Sequence, residues 1–214
     1  MSDPVENIKD TLGNIDIYLL DQIMKNRYTP GERLLDAGAG GGRNLHWFAL
    51  NGFHVHAIDA NEQSIWALKS QYPDWENNQI QRATVEAIPF SNEYFHHIVC
   101  VAVLHFGKNE AHFLQMFAEM IRVLKPGGSV FIRVASDIGL ESKVAPVGEG
   151  LFDLPDGTRR FLLTRTLLKT IFKTFPIQFL EPVKTVNVQD TRCMTTLVIK
   201  KLPPAYAEGS LVIG

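Results

Sequence analysis

Residues 33–43 read Arg-Leu-Leu-Asp-Ala-Gly-Ala-Gly-Gly-Gly-Arg, an apolar run that ends in an acid and a cluster of glycines. Glycine lets the backbone turn sharply and brings its N–H groups close to a ligand, because no Cβ intervenes. The helical pattern that follows offers unsatisfied N–H groups and a positive dipole end to whatever occupies the turn. Residues of these types at this spacing suit a nucleotide-like ligand. A phosphate-cradling loop of the form Gly-x-x-x-x-Gly-Lys-Ser/Thr is excluded, since no lysine follows the glycines. The dinucleotide fingerprint Gly-x-Gly-x-x-Gly matches at Gly38 and Gly40 but meets Arg43 at its third glycine. A side chain there holds helix and strand apart. A glycine-rich turn without a ligand is the plain alternative.

About twenty residues further on, Phe53-His54-Val55-His56-Ala57-Ile58-Asp59 reads as a strand that ends in a second acid, and an acid so placed in a Rossmann-like site accepts from ribose hydroxyls. Then come Glu86-Ala87-Ile88-Pro89-Phe90, Ile98-Val99-Cys100-Val101-Ala102-Val103-Leu104-His105-Phe106, and Arg122-Val123-Leu124-Lys125-Pro126-Gly127-Gly128. In this order, over residues 30–135, the segments resemble the small-molecule group of the class I S-adenosylmethionine (SAM) methyltransferases. That group carries a glycine-rich first motif, a Glu-Ala-Leu-Pro-Phe segment after its third strand, a histidine-containing loop after its fourth, and a Leu-Lys-Pro-Gly-Gly turn into its fifth.

The resemblance implies SAM as cofactor and a set of contacts for it. The N–H groups of Gly38, Ala39 and Gly40, with Arg43, suit the methionine carboxylate, and Asp36 with the backbone near Val101 suits the ammonium. Asp59 is expected at the ribose, and Ala60, Val85 and Glu86 around the adenine. Thr84 stands where many relatives have an aspartate for the adenine amine, and His96 where an aspartate usually begins the fourth strand. Asp59 could instead serve as a helix N-terminal acid, and Arg43 as a solvated charge.

Methyl transfer from a sulfonium is an in-line displacement on an activated carbon, so the protein mainly aligns the acceptor and excludes water. A base is needed only for an acceptor that arrives protonated. His105, in the loop after the fourth strand, is the candidate catalytic residue, with a pocket-wall role as its alternative. Phe106, Phe152 and Phe161 could line an acceptor pocket, and Arg159 and Arg160 would favour an anionic acceptor if they face inward. His54 and His56 share a strand face but have no third ligand in view, so no metal is expected.

These residues need a scaffold. The chain has 214 residues, 45% of them hydrophobic, and a net charge of −2, which suits one domain with a small lid and gives no nucleic-acid footprint. Periodicity predicts an apolar helical face at Ile15, Leu19 and Ile23, strand Arg33–Ala37, and a helix over 42–50. Strand 53–58, helix 62–70, a weak strand at 79–85, strand 97–102 and helix 110–123 follow, then strand 130–134. Such alternation implies an α/β, Rossmann-like, doubly wound and mostly parallel sheet. Residues 135–163 lose the helical pattern and read as a lid. Thr164 should cap a helix reaching towards residue 175. Strands 178–186 and 193–200 form a closing antiparallel hairpin, so the resemblance implies a seven-stranded sheet.

The expected layout is a single SAM-binding domain over 1–202, with 1–30 as helical cap and 203–214 as a loose tail. The N-terminus lacks a secretion pattern, no apolar run approaches a membrane span, and Cys100 and Cys193 fall in core strands. A cytoplasmic monomer or homodimer without membrane or nucleic-acid partners is therefore expected. The expected activity is SAM-dependent methyl transfer to a small-molecule acceptor. A non-catalytic SAM-binding regulator and an NAD-type oxidoreductase are the alternatives.

Overall fold

Strand β1 (Arg33–Ala37) is buried from Leu34 to Ala37, as a strand covered on both faces must be. In the computed structural model, which describes residues 4–203, it pairs in parallel with β2 (His54–Asp59) on one side and β4 (Phe95–Val101) on the other. The main sheet continues through β3 (Ile80–Arg82) beyond β2, and through β5 (Leu124–Ser136), β11 (Arg192–Lys201) and β10 (Lys184–Val188) beyond β4. The order is β10-β11-β5-β4-β1-β2-β3, with β11 antiparallel to both of its neighbours. The order in which strands are added to the sheet reverses between β1 and β4, the point at whose carboxyl ends such sheets bind ligands.

Successive side chains of β1 feed opposite cores. Leu34 joins Leu19 of α2 (Ile17–Met24), Phe48 of α3 (His46–Leu50) and Leu68 of α4 (Glu62–Gln71). Leu35 joins Phe113, Phe117 and Met120 of α5 (Glu110–Val123) and Ile171 of α6 (Arg165–Thr174). The i, i+4, i+7 spacing in α5 places those side chains on one helix face. Asn109 caps α5 by accepting from the His112 N–H, and Thr164 caps α6 by accepting from Leu167. Ahead of them, α1 (Pro4–Leu12) precedes α2, whose N-cap is Asp16.

Several boundaries differ from expectation. Helix α3 begins at His46 rather than at residue 42, because Gly42 has φ +78° and closes a turn with Leu45 first. Strand β5 starts at Leu124 and carries the Pro126-Gly127-Gly128 turn as a bulge, between the pairs Phe95–Leu124 and His97–Ser129. A Cβ on Gly128 would lie 2.6 Å from the His96 carbonyl oxygen, so only glycine fits. The expected strand over 178–186 is two strands. Strand β9 (Ile177–Phe179) and β10 both pair with β11, and the interval holds Pro182, which has no N–H to donate. The continuous path through the sheet has the seven strands expected, and β9 adds an eighth beside β11.

Residues 135–163 are not structureless. They contain β6 (Ala145–Gly148), β7 (Leu151–Asp153) and β8 (Arg159–Phe161), paired antiparallel as a separate three-stranded sheet. Leu140, Val144, Leu154 and Leu162 bury against Ala135 and Cys193, which attaches this meander to β5 and β11. Residues 204–214, most of the expected tail, lie outside the described residues. Among the described residues, no helix is long and apolar enough to cross a membrane.

Candidate active site

The acids at the ends of β1 and β2 differ in their surroundings. Asp59 accepts from the Gly40 N–H with one carboxylate oxygen and from the Asn61 N–H with the other, each at 2.8 Å. Asn61, not Asp59, caps α4, so Asp59 serves the glycine loop. Asp36 is 1% exposed, and neither carboxylate oxygen has a hydrogen-bond partner. Burial pushes its carboxyl up to about 7; the Arg43 charge opposes that rise and Asp59 adds to it. A buried acid with no hydrogen-bond partner, at this sheet edge, is suited to a cationic group.

The glycine loop works differently from the expectation. Gly38 and Ala39 both donate to the Ile58 carbonyl, and Gly40 donates to Asp59. These N–H groups are used within the protein, because the loop must close onto the end of β2. Its contribution is shape instead. Gly38, at φ +82°, lies against Val103, and an added Cβ would meet that side chain at 2.3 Å. A Cβ on Gly40 or Gly41 would meet nothing within 4 Å, so the loop leaves open space there.

The remaining predicted residues fall at the same sheet edge. The Ala83 N–H donates to the Asp59 carbonyl at 3.1 Å, which brings residues 84–86 beside the end of β2. Ala60 and Thr84 are exposed, Val85 is buried, and Glu86 pairs with His112 at 3.4 Å. Val101 ends β4, and Ala102 after it has φ +61°, a left-handed conformation that costs a non-glycine residue energy and gathers at functional sites. Its N–H is fixed to the Arg133 carbonyl at 2.8 Å.

A cleft of about 520 Å³ joins this edge to the meander, lined by Arg43, Val101, Ala102 and His105 together with Arg160 of β8 and Arg192 of β11. Asp16 and Arg133, absent from the sequence-based set, also line it. Asp16 is 4% exposed and accepts from Arg133 at 2.7 Å and from Arg43 at 3.3 Å. Its own N–H donates to the Asn44 side chain at 3.0 Å. The signal for Asp16 was an acid just before a helical pattern, which also reads as a simple cap.

Three expectations change here. His105 is a poor base: burial, and then the Arg160 charge, bring it down to about 4. Its Nδ1 faces the Ala135 N–H at 3.4 Å, so the neutral ring carries its proton on Nε2. Arg159 is not in the cleft. Neighbours on a strand alternate faces, and Arg159 forms an exposed pair with Asp153 at 2.7 Å while Arg160 lines the cleft. Phe106 is 62% exposed and lies under the Arg160 guanidinium, 5.3 Å from ring centre to Cζ. Away from the cleft, His54 and His56 begin β2 at the other end of the sheet, in a separate cavity with Arg33 and His96. His56 packs edge-on to Phe90, Tyr94 and Phe95. Among the described residues no group of three His, Cys, Asp or Glu is placed to hold a metal.

Comparison with known proteins agrees with this geometry. Residues 35–132 match a family model described as a methyltransferase domain. The chain is 30% identical over 103 residues to a demethylmenaquinone methyltransferase of Clavibacter sepedonicus, covering 48% of this chain and 40% of that protein. It is 29% identical over 119 residues to a ubiquinone biosynthesis O-methyltransferase of Rickettsia akari (strain Hartford), covering 54% and 45%. The match thus spans under half the length of these curated relatives. The fold is shared with a Burkholderia thailandensis 1,6-didemethyltoxoflavin-N1-methyltransferase solved with S-adenosylhomocysteine, at TM-score 0.63 and 16% identity over 94% of this chain and 82% of that one. Residues 35–132 thus match the methyltransferase-domain model, and the sheet built around them has the fold of solved SAM-dependent methyltransferases.

Proposed function

We propose that the protein transfers the methyl group of SAM to a small-molecule acceptor. The observation that carries this reading is a single cleft shared by the family's cofactor edge, at Arg43 and Val101, and by the meander inserted after β5, at Arg160. The names of the relatives, which act in demethylmenaquinone, ubiquinone and toxoflavin chemistry, support a small-molecule acceptor.

When bound, SAM supplies a methyl carbon already activated by its sulfonium. The Asp59 carboxylate takes the ribose hydroxyls, and Asp36 pairs with the ammonium. The open space at Gly40 and Gly41 admits the methionine end, with Arg43 near its carboxylate, and residues 84–86 flank the adenine beside Ala60. Residues 135–163 cover the acceptor and keep water out. His105, neutral and with its proton on Nε2, donates a hydrogen bond to the acceptor and removes no proton. Acceptors that reach the cleft with an unprotonated nucleophilic atom are therefore favoured.

Incubation with SAM labelled in its methyl group and a panel of small acceptors tests this. Label should appear in at least one acceptor, with S-adenosylhomocysteine as co-product. SAM binding without transfer to any acceptor would favour the regulatory alternative.

A further inference from the structure

The cleft carries more positive charge than the chain around it. Arg43, Arg133, Arg160 and Arg192 all line the cavity, against two acids, Asp16 and Asp156, in a chain whose net charge is −2. The arginines are not equivalent. Arg43 and Arg133 are tied to Asp16 at the cofactor end. Arg160 and Arg192 form no ion pair among the described residues. Arg160 donates only to the Arg159 carbonyl, at 3.0 Å, and its guanidinium is held over the Phe106 ring. Asp156 feels the charge of both arginines, yet its Oδ1 is taken by the Thr158 N–H at 3.0 Å and hydroxyl at 2.6 Å.

Two arginines from separate elements, β8 and β11, thus line one cleft, where both act on Asp156. Arginine's fork of N–H donors matches an oxyanion, in which both charges find a partner. Leu154, Val186 and Met194 line the same region and leave room for an apolar body behind the charged group.

We infer that the acceptor is an acidic small molecule whose carboxylate or phosphate is bound between Arg160 and Arg192. This deepens the methyltransferase reading and rests on it, while assigning Arg192 a specificity role that no local motif marks.

The test uses the full chain saturated with S-adenosylhomocysteine. Matched panels of aromatic and aliphatic carboxylates, phosphate monoesters and their neutral amides and methyl esters are titrated by calorimetry and thermal shift. The two acidic arms separate carboxylate from phosphate recognition. Binding confined to acidic members is expected. It should weaken about tenfold or more in Arg160→Gln and in Arg192→Gln, the scale of a charged hydrogen bond, and stay unchanged in Arg159→Gln. Retained S-adenosylhomocysteine binding shows that each variant is folded. Equal binding of neutral members, or acid binding that survives the double variant, overturns the inference. So does the absence of any binding to a protein loaded with S-adenosylhomocysteine. Failure of S-adenosylhomocysteine itself to bind would instead overturn the reading underneath.

Discussion

Asp59 and Asp36 end neighbouring strands and differ in what they lack. Asp59 already holds the loop through Gly40, so its charge is fixed in place. Asp59→Ala should weaken SAM about tenfold or more, the loss of a charge-assisted acceptor worth about 1.5–3 kcal/mol. Unchanged affinity in a folded variant would mean that another group holds the ribose. Asp36, raised to about 7 from an ordinary 3.8, makes SAM binding depend on pH. Ionised Asp36 pairs with the ammonium, so affinity should strengthen as pH rises through 7, and Asp36→Asn should flatten that dependence in calorimetry. The free protein responds in the opposite sense. The stability Asp36 allows is complete below its unfolded pKa and is lost as pH rises through its folded pKa. Asp36→Asn should therefore match the parent near pH 4 and melt higher above pH 7. A parent that melts higher than the variant at pH 8 would show that Asp36 has a cationic partner before SAM arrives.

Both acids were legible in the sequence because each ends an apolar run at a known interval from the glycines. Arg133 and Arg192 were not. Arg133 lies within an expected core strand and Arg192 just before one, and only the pairing of β5 with β11 brings them to one cleft. His105 was legible in place but not in state. Its low basicity comes from burial and from Arg160, fifty-five residues away in sequence and adjacent only in the fold.

At the scale of elements, helices were read best where caps and apolar spacing agree, as at Asn109 with α5 and Thr164 with α6. The meander escaped notice because its strands are three or four residues long and mostly exposed, so they show no alternation of buried and exposed positions. Its shape depends on Gly150, at φ +83°, where a Cβ would lie 2.3 Å from the Phe161 ring. Gly150→Ala should cost about 1–3 kcal/mol through overpacking and strain. Hydrogen exchange should quicken in β7 and β8, and turnover should fall while SAM affinity stays within about twofold. Loss of SAM binding with an intact main sheet would assign the meander to the cofactor half of the site.

Across the whole molecule, cofactor and acceptor regions are joined by contacts that span the chain. Asp16, at the start of α2, holds Arg133 of β5. Glu181, between β9 and β10, accepts from Gln22 at 3.0 Å and Lys25 at 2.6 Å, both in or next to α2. The N-terminal helices are thereby fixed to the strands added after the meander, and the cleft is closed from both ends of the sequence. The parallel half of the sheet follows from strand–helix alternation, which sequence displays directly. These long-range ties have no periodic trace, since a single acid can meet a distant base from any loop.

The central claim is that the site at the carboxyl ends of β1 and β4 holds SAM. Calorimetric titration of the full chain with SAM, S-adenosylhomocysteine and NAD tests it most directly. Micromolar binding of SAM and S-adenosylhomocysteine, about −8 kcal/mol, is expected, with no measurable heat from NAD. Binding of NAD as tight as that of SAM, or no binding of S-adenosylhomocysteine to the folded protein, would contradict it.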